Sequence, residues 1–163
     1  MKAKIKIFIS EIEGVWTDGS FFINGSGNEY WKFNFNDLTG INLLKKNKIP
    51  FLLISGEESE AEKKGIAKFG IKSYKTGIKN KEKFLNGYLK KKKISWSEVA
   101  YIGSTIDDLN ILKKAGLSAT PITSPFYVRN VANWILRAKA GEGAFSQFVE
   151  DYLEEIGKLK ESF

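Results

Sequence analysis

The sequence predicts an α/β protein built on a parallel sheet with helices on both faces. Short apolar, strand-like runs alternate along the chain with segments of roughly 10 to 15 residues whose apolar positions have helical spacing. Strands joined by such helices pair in parallel through right-handed βαβ units. The 163 residues, of which 42% are apolar and 28% charged, suit one domain over residues 1–163 with a sizeable core.

The first predicted elements are a core strand and an aromatic hairpin. Residues 4–10 alternate and then become apolar, which is typical of a strand that enters a sheet core. Residues 20–24 and 28–34 are aromatic and strand-like on either side of Gly25-Ser26-Gly27. This pattern predicts a β-hairpin that protrudes from the sheet over about residues 20–35.

Helices and strands alternate after the hairpin. Asp37 is placed to cap a helix, and the run Ser55-Gly56-Glu57-Glu58 matches a capping box that opens another helix ending at Phe69. The sequence predicts further strands at residues 49–55, 71–74, 99–103, 117–120 and 134–137, and further helices at residues 81–92, 106–115, 144–160 and from Pro125.

The composition excludes several classes of site. The chain has no Cys and no His, so disulfides, Ser-His-Asp and Cys-His nucleophiles, and zinc sites with nitrogen or sulfur ligands are ruled out. An enzyme of this composition works with carboxylates, hydroxyls and amines, with or without a hard metal ion. The formal charge is +7, which favours anionic partners. Lys90 to Lys93 form a charge run at a helix C-terminus, where cations are favoured, so nucleic acid is a disfavoured partner.

Neither a membrane segment nor an export signal is expected. The longest unbroken apolar runs, such as residues 50–54, are too short for a membrane-spanning helix. Residues 1–4 lead directly into a strand-like run, without the apolar stretch and small-residue cleavage site of a signal peptide. We therefore expect a cytoplasmic protein with no membrane partner.

Polar side chains follow the ends of four predicted strands. In a parallel sheet the carboxyl ends of the strands share one edge, and ligands bind outside that edge. The side chains expected there are those of Glu11, Glu13, Ser55, Lys81, Asp107 and Asp108. Carboxylates, a hydroxyl and an ammonium group at one site are the groups that phosphoryl transfer through an acyl-phosphate needs, together with Mg²⁺.

Five segments occur in an order that resembles a known superfamily. They are E-I-E-G-V-W-T-D-G, L-L-I-S-G, G-I-K-N-K, A-Y-I-G-S-T-I-D-D-L-N and A-G-E-G-A-F. From about residue 4 to residue 153, the chain resembles the haloacid dehalogenase superfamily. Within it, the chain is most similar to 3-deoxy-D-manno-octulosonate (KDO) 8-phosphate phosphatases and nonulosonate 9-phosphate phosphatases. The resemblance implies a Rossmann-like sheet with a minimal cap domain or none. It also implies Mg²⁺-dependent hydrolysis of a sugar phosphate, in lipopolysaccharide or nonulosonate biosynthesis.

The resemblance assigns catalytic and metal-binding roles to individual residues. Glu11 takes the position of the nucleophilic Asp, and Glu13 takes that of the acid/base Asp. The Mg²⁺ ligands correspond to Glu11, the backbone carbonyl of Glu13, Ser104 and Asp108.

Phosphate-binding positions follow from the same resemblance. Ser55 matches the phosphate-binding hydroxyl, and Gly56 matches the glycine that follows it. Lys81 matches the phosphate-binding Lys, with Lys79 as an alternative.

The departures from the family pattern lie at the expected site. Both aspartates of the first motif are Glu, and the metal-binding Asp is Ser104. Further differing positions are Asn36, Glu57 and Ser146, each usually Arg, and Asp107, usually Asn. Glu is one methylene longer than Asp, and a misplacement of about 1 Å can cost on the order of 10²-fold in rate. We therefore expect a pseudoenzyme whose phosphomonoesterase activity is impaired or lost.

The alternative is an active Mg²⁺-dependent sugar-phosphate phosphatase with Glu11 as nucleophile, in which Asp107 or Asp108 replaces Ser104.

The aromatic hairpin predicts self-association. A two-stranded hairpin is only marginally stable alone in water, and this one is rich in aromatic residues: Phe21, Phe22, Tyr30, Trp31, Phe33 and Phe35. The resemblance implies a homotetramer in which four hairpins close a central barrel. It also implies a sugar phosphate or another small anion as ligand, and an acylneuraminate cytidylyltransferase as partner, because related domains are fused to such enzymes.

Overall fold

Six parallel strands form the central sheet of the computed structural model, which describes residues 4–162. Strands are numbered along the chain, and β2 and β3 lie outside this sheet: β1 (Ile7–Glu11), β2 (Phe21–Ile23), β3 (Glu29–Trp31), β4 (Phe51–Ile54), β5 (Tyr74–Lys75), β6 (Val99–Ile102), β7 (Leu117–Pro121) and β8 (Trp134–Leu136). The helices are α1 (Asp37–Lys46), α2 (Glu60–Lys68), α3 (Lys81–Lys92), α4 (Leu109–Lys114), α5 (Phe126–Arg129) and α6 (Ala144–Glu155). Short 3₁₀ turns lie at Trp96–Glu98, Ile106–Asp108 and Lys160–Ser162.

The sheet order is β5-β4-β1-β6-β7-β8, so β1 lies inside the sheet between β4 and β6. All five residues of β1 are buried, because a parallel sheet is covered on both faces. Phe8 packs with residues of α1, α2 and α6 on one face. Ile7 and Ile9 pack with residues of α3, α4 and α5 on the other. The predicted α/β sheet with helices on both faces is confirmed.

The predicted hairpin is present outside the central sheet. Strands β2 and β3 pair antiparallel, with Phe21 opposite Trp31 and Phe22 opposite Tyr30. The side-chain oxygen of Asn24 accepts hydrogen bonds from the backbone N–H groups of Ser26 and Asn28 (3.0 and 2.9 Å) and so closes the turn. Phe22 is 74% exposed, so the hairpin presents apolar surface to its surroundings.

Two predicted helix caps are wrong. Helix α2 begins at Glu60 and is capped by Ser59, whose Oγ accepts from the backbone N–H of Glu62 at 3.0 Å. The hydroxyl of Ser55 is used elsewhere, as described below. Asp37 is the first residue of α1 rather than its cap, and its carboxylate accepts from the backbone N–H of Ser146 at 3.1 Å. Asp37 therefore links α1 to the first turn of α6. Burial raises the pKa of Asp37 to about 7, although the N–H of Ser146 stabilises the charged carboxylate.

Helices α1 and α6 cross at Gly40. A Cβ atom at this position would lie 3.0 Å from the Cα of Ser146 and 3.1 Å from the ring of Phe145. The chain just before α6 packs on the loop after β1, where the N–H of Gly141 donates to the carbonyl of Val15 at 2.9 Å. The crossing therefore helps to hold the loop that carries Glu13.

No helix within residues 4–162 combines the length and the apolar character needed to span a bilayer.

Substitution of Gly40 by Ala should destabilise the protein by about 1–3 kcal/mol, because the new methyl group is forced against the backbone of α6. Equilibrium urea unfolding measures this. Gly87→Ala is the matched control: Gly87 also lies within a helix, but a Cβ there meets nothing within 4 Å. Because Ala has the higher helix propensity, the control should gain about 0.5–1 kcal/mol. A stable Gly40→Ala protein would contradict the close crossing.

Candidate functional site

The carboxyl ends of β1, β4 and β6 bring the predicted site residues together. Glu11 is the last residue of β1, Ser55 follows β4, and Ser104 lies in the loop after β6. A cavity of ≈ 450 Å³ opens at this edge, lined in part by Glu11, Glu13 and Lys81. We call it the strand-end cavity. Its position agrees with the rule that ligands bind outside the carboxyl ends of parallel strands.

Most of the predicted residues line this cavity, and the others are buried close to it. Gly56 and Lys79 line the strand-end cavity together with Glu11, Glu13 and Lys81. Three further residues are buried and form hydrogen bonds with lining residues, namely Ser55, Ser104 and Asp108. The sequence therefore selected residues that do meet in space.

An ammonium group between two carboxylates forms the centre of the site. Lys81 is only 8% exposed, and its Nζ donates to Oδ1 of Asp108 at 2.8 Å and to Oε2 of Glu11. Helix α3 places Lys81 there, because its cap, Asn80, accepts from the N–H of Lys83 at 2.8 Å and fixes the first turn. Lys81, rather than Lys79, is thus the lysine that contacts the predicted nucleophile position.

Asp108 is fully engaged as an acceptor. Besides Lys81, the hydroxyl of Tyr101 donates to Oδ1 at 2.7 Å. Oδ2 accepts from the N–H of Ser104 (2.9 Å) and from the N–H and hydroxyl of Thr105 (2.9 and 3.0 Å). A carboxylate offers about four lone-pair positions, so little acceptor capacity is left for a further ligand.

The titration behaviour of the three charged groups follows from their burial and mutual contacts. Burial raises the pKa of Glu11 well above its usual value, and the charge of Asp108 adds to this while Lys81 opposes it. Burial also acts on Asp108, but Lys81 and the hydrogen-bond donors outweigh it and lower its pKa. Burial disfavours the charge of Lys81, yet Glu11 and Asp108 raise its pKa. Lys81 and Asp108 are therefore held as an ion pair.

Glu13 is held from two sides. Its Oε1 accepts from the hydroxyl of Ser55 at 2.7 Å, and its backbone carbonyl accepts from the hydroxyl of Ser104 at 2.8 Å. Ser55 Oγ also accepts from the N–H of Glu57 at 2.9 Å. The Ser55 hydroxyl therefore faces Glu13 and the following turn, which explains why it does not cap a helix.

Sequence reasoning missed two residues of the site, Tyr101 and Glu62. Tyr101 is buried within the apolar run of β6 and looked like core. Glu62 lies in the first turn of α2, where an acid is common, yet its side chain is buried and neither carboxylate oxygen has a hydrogen-bond partner among the described residues. Burial raises the pKa of Glu62 to about 7, and nearby Glu13 contributes to this rise.

The residues that the resemblance assigns to a metal do not fit a hard divalent cation. Such a cation prefers anionic oxygen ligands. Asp108 is saturated by donors, Glu11 faces the Lys81 ammonium, and Ser104 offers a neutral hydroxyl that donates to Glu13. Within residues 4–162, no three Asp, Glu, His or Cys side chains come together as a metal-binding group.

Comparison with known proteins gives relatives that cover nearly all of the chain. The KDO 8-phosphate phosphatase KdsC of Haemophilus influenzae is 30% identical over 154 residues, which is 94% of this chain and 86% of that protein. The N-acylneuraminate cytidylyltransferase of Oncorhynchus mykiss is 32% identical over 155 residues, but the chain spans only 35% of that protein. No protein-family model matches the chain.

Solved structures agree with this likeness. A probable YrbI family phosphatase from Pseudomonas syringae pv. phaseolica superposes with a TM-score of 0.91 at 30% identity, covering 97% of this chain and 90% of that one. The cobalt-bound KDO 8-phosphate phosphatase of H. influenzae superposes with a TM-score of 0.87 at 30% identity, covering 96% of this chain and 91% of that one. The KDO 8-phosphate phosphatase of Moraxella catarrhalis, in complex with magnesium, phosphate and KDO, superposes with a TM-score of 0.89 at 28% identity. The match covers 96% of this chain and 90% of that one.

Replacing Lys81 by Met should destabilise the protein by about 3–5 kcal/mol at neutral pH, because the buried carboxylates of Glu11 and Asp108 lose their cation. The deficit should shrink as the pH falls, since protonation removes those charges. Urea unfolding at several pH values measures both effects. The exposed neighbour Lys79→Met serves as control and should stay within about 0.5 kcal/mol of wild type. Combining Glu11→Gln with Lys81→Met should recover part of the lost free energy of unfolding. Equal stability of the two lysine variants would show that the ion pair contributes nothing.

Proposed function

The chain belongs to the haloacid dehalogenase superfamily, in the family of the KDO 8-phosphate phosphatases, and on that basis we propose that it keeps the phosphatase scaffold while its phosphomonoesterase activity is impaired or lost. The observation that carries this proposal lies at Ser104, the position of the metal-binding Asp, whose hydroxyl donates to the backbone carbonyl of Glu13 at 2.8 Å. The neighbouring carboxylate of Asp108 accepts from the N–H groups of Ser104 and Thr105 and from the Lys81 ammonium.

The groups that the reaction needs either differ from the family pattern or are hydrogen-bonded to other side chains. Glu11 carries one methylene more than Asp, and a shift of about 1 Å in a reacting group can cost on the order of 10²-fold in rate. Glu13, at the acid/base position, accepts from Ser55, so the hydroxyl expected at the phosphate is directed to a carboxylate. Ser104 lacks the charge of the Asp that it replaces, which supports the same conclusion.

The charge of the strand-end cavity also disfavours a phosphate dianion. Its lining carries five acidic side chains and the two lysines Lys79 and Lys81; the acids are Glu11, Glu13, Glu57, Glu82 and Asp107, and of these Glu82 is paired with Lys114. Like charges in a cleft repel an anionic ligand. A sugar phosphate or another small anion remains the ligand class implied by the family, and the cavity of this chain should bind it weakly.

Phosphate release from KDO 8-phosphate, a nonulosonate 9-phosphate and a few hexose phosphates, with and without Mg²⁺, tests the proposal. Wild type should give no release above buffer, because nucleophile, acid/base group and metal ligand are all altered. The triple variant Glu11→Asp, Glu13→Asp, Ser104→Asp should gain activity if the scaffold is otherwise competent. Wild-type turnover that Glu11→Ala abolishes would overturn the proposal and establish Glu11 as a working nucleophile.

Assembly is the property that we propose this chain retains. The hairpin presents Phe21, Phe22 and Tyr30 to solvent, each more than half exposed, and isolated hairpins are marginal in water. A homotetramer whose hairpins close a central barrel would bury these rings. The likeness to N-acylneuraminate cytidylyltransferases over 35% of their length supports a role beside such an enzyme in sugar activation.

Phe22→Asp should convert the tetramer into smaller species, because a charge would replace an apolar contact at the centre of the assembly. Sedimentation velocity at several concentrations measures this. Phe126→Asp is the matched control: Phe126 is 67% exposed against 74% for Phe22, but it lies on α5 rather than on the hairpin. A wild-type monomer, or equal effects of the two variants, would contradict assembly through the hairpin.

A further inference from the structure

We propose that Ser104 excludes divalent cations from the strand-end cavity, and that the Lys81 ammonium is the cation which the buried carboxylates hold instead. This inference rests on the proposed function and deepens it, since it names the residues that make the site independent of metal.

Ser104 joins two loops through a hydrogen bond between neutral groups. It lies in the loop after β6 and is 6% exposed. Its hydroxyl donates to the carbonyl of Glu13 at 2.8 Å, in the loop after β1. The contact is tight, because a Cβ on neighbouring Gly14 would lie 2.2 Å from the Ser104 oxygen and Gly14 has a φ of +73°. The carbonyl that the family offers to a cation therefore has a hydroxyl proton as its partner.

The carboxylates next to Ser104 are engaged as well. Asp108 accepts from Lys81, Tyr101, Ser104 and Thr105, so it could ligate a metal only by breaking those bonds. Glu11 contacts the Lys81 ammonium. A dication placed beside Glu11 would lie close to a buried positive charge, where the low local dielectric strengthens repulsion.

Charge balance points in the same direction. Buried charges are stable only when paired and hydrogen-bonded, and the buried charge of Asp108 is paired with the Lys81 ammonium, which Glu11 also contacts. Lys81, with two ion-pair contacts and little exposure, supplies that cation from within the chain. A metal ion is then not needed to hold the strand ends together.

Mn²⁺ titration of the purified protein, followed by electron paramagnetic resonance of the free ion, tests the Ser104 assignment without any substrate. Wild type should leave the free-ion signal equal to that of buffer. Ser104→Asp should bind Mn²⁺ at least about tenfold more tightly, because an anionic oxygen replaces a hydroxyl. Ser104→Ala, which removes the hydrogen bond but adds no charge, should stay like wild type. Ser73→Asp, at an exposed serine, controls for added surface charge and should also stay like wild type.

Stability in Mg²⁺ and in a chelator tests the Lys81 assignment. The unfolding midpoint of wild type should be the same in both, because a ligand stabilises only the state that binds it. The midpoint of Lys81→Met should rise in Mg²⁺, since a metal can then take the place of the ammonium. An unchanged Lys81→Met midpoint would overturn this half of the proposal, and the measurement does not depend on whether Ser104→Asp folds.

The outcomes separate this inference from the proposed function. Stoichiometric Mn²⁺ binding by wild type overturns the inference, even if the protein releases no phosphate. A folded Ser104→Asp variant that binds no Mn²⁺ overturns the role of Ser104. Phosphate release by wild type in the presence of a chelator would overturn the loss of activity, yet it would support a site that works without a metal.

Discussion

The structure of the site depends on one buried ammonium group. Lys81 contacts Glu11 at the end of β1 and Asp108 beyond the end of β6, so a single positive charge joins the first turn of α3 to two strand-end segments. Buried ion pairs are favourable only when their geometry is good and their remaining polar atoms are satisfied. Tyr101 and Thr105 meet that condition by donating to Asp108. Both carboxylate oxygens of Asp108 therefore have hydrogen-bond donors.

The scaffold of this chain is shared with phosphatases, whereas we propose that its chemistry has diverged. At 30% identity the fold superposes on a phosphatase with a TM-score of 0.91, because core packing tolerates exchange among apolar residues of similar volume. Reaction chemistry tolerates much less, since a nucleophile and a metal ligand act only at the right length and charge. On the proposed assignment, Glu11 changes the length of the nucleophile and Ser104 changes the charge of a metal ligand, whereas Phe8 and Ile9 keep β1 buried in the sheet. A shared fold therefore coexists with a polar edge for which we propose impaired or lost hydrolysis.

Apart from the lysine, two acids show how burial can redirect a side chain from its expected role. Asp37 was expected to cap α1, yet its carboxylate accepts from Ser146 at the start of α6. Glu62 stands three residues after the cap Ser59, where it could have bonded back to the helix start, but it is buried beside Glu13. Both acids have raised pKa values because they are desolvated. Local sequence rules treat such residues as caps, because those rules do not include what another helix or loop brings next to them.

The sequence by itself determined the parallel sheet, the hairpin and the set of residues at the strand ends. Those features depend on local periodicity and on turn residues such as Gly25 and Gly27, which act over a few positions in the chain. The tertiary structure decided which donor meets which acceptor: that Lys81 rather than Lys79 contacts Glu11, and that Ser55 donates to Glu13. Such partners come from segments far apart in sequence. A difference of about one ångström in their placement decides whether a hydrogen bond forms, and no local pattern encodes that distance.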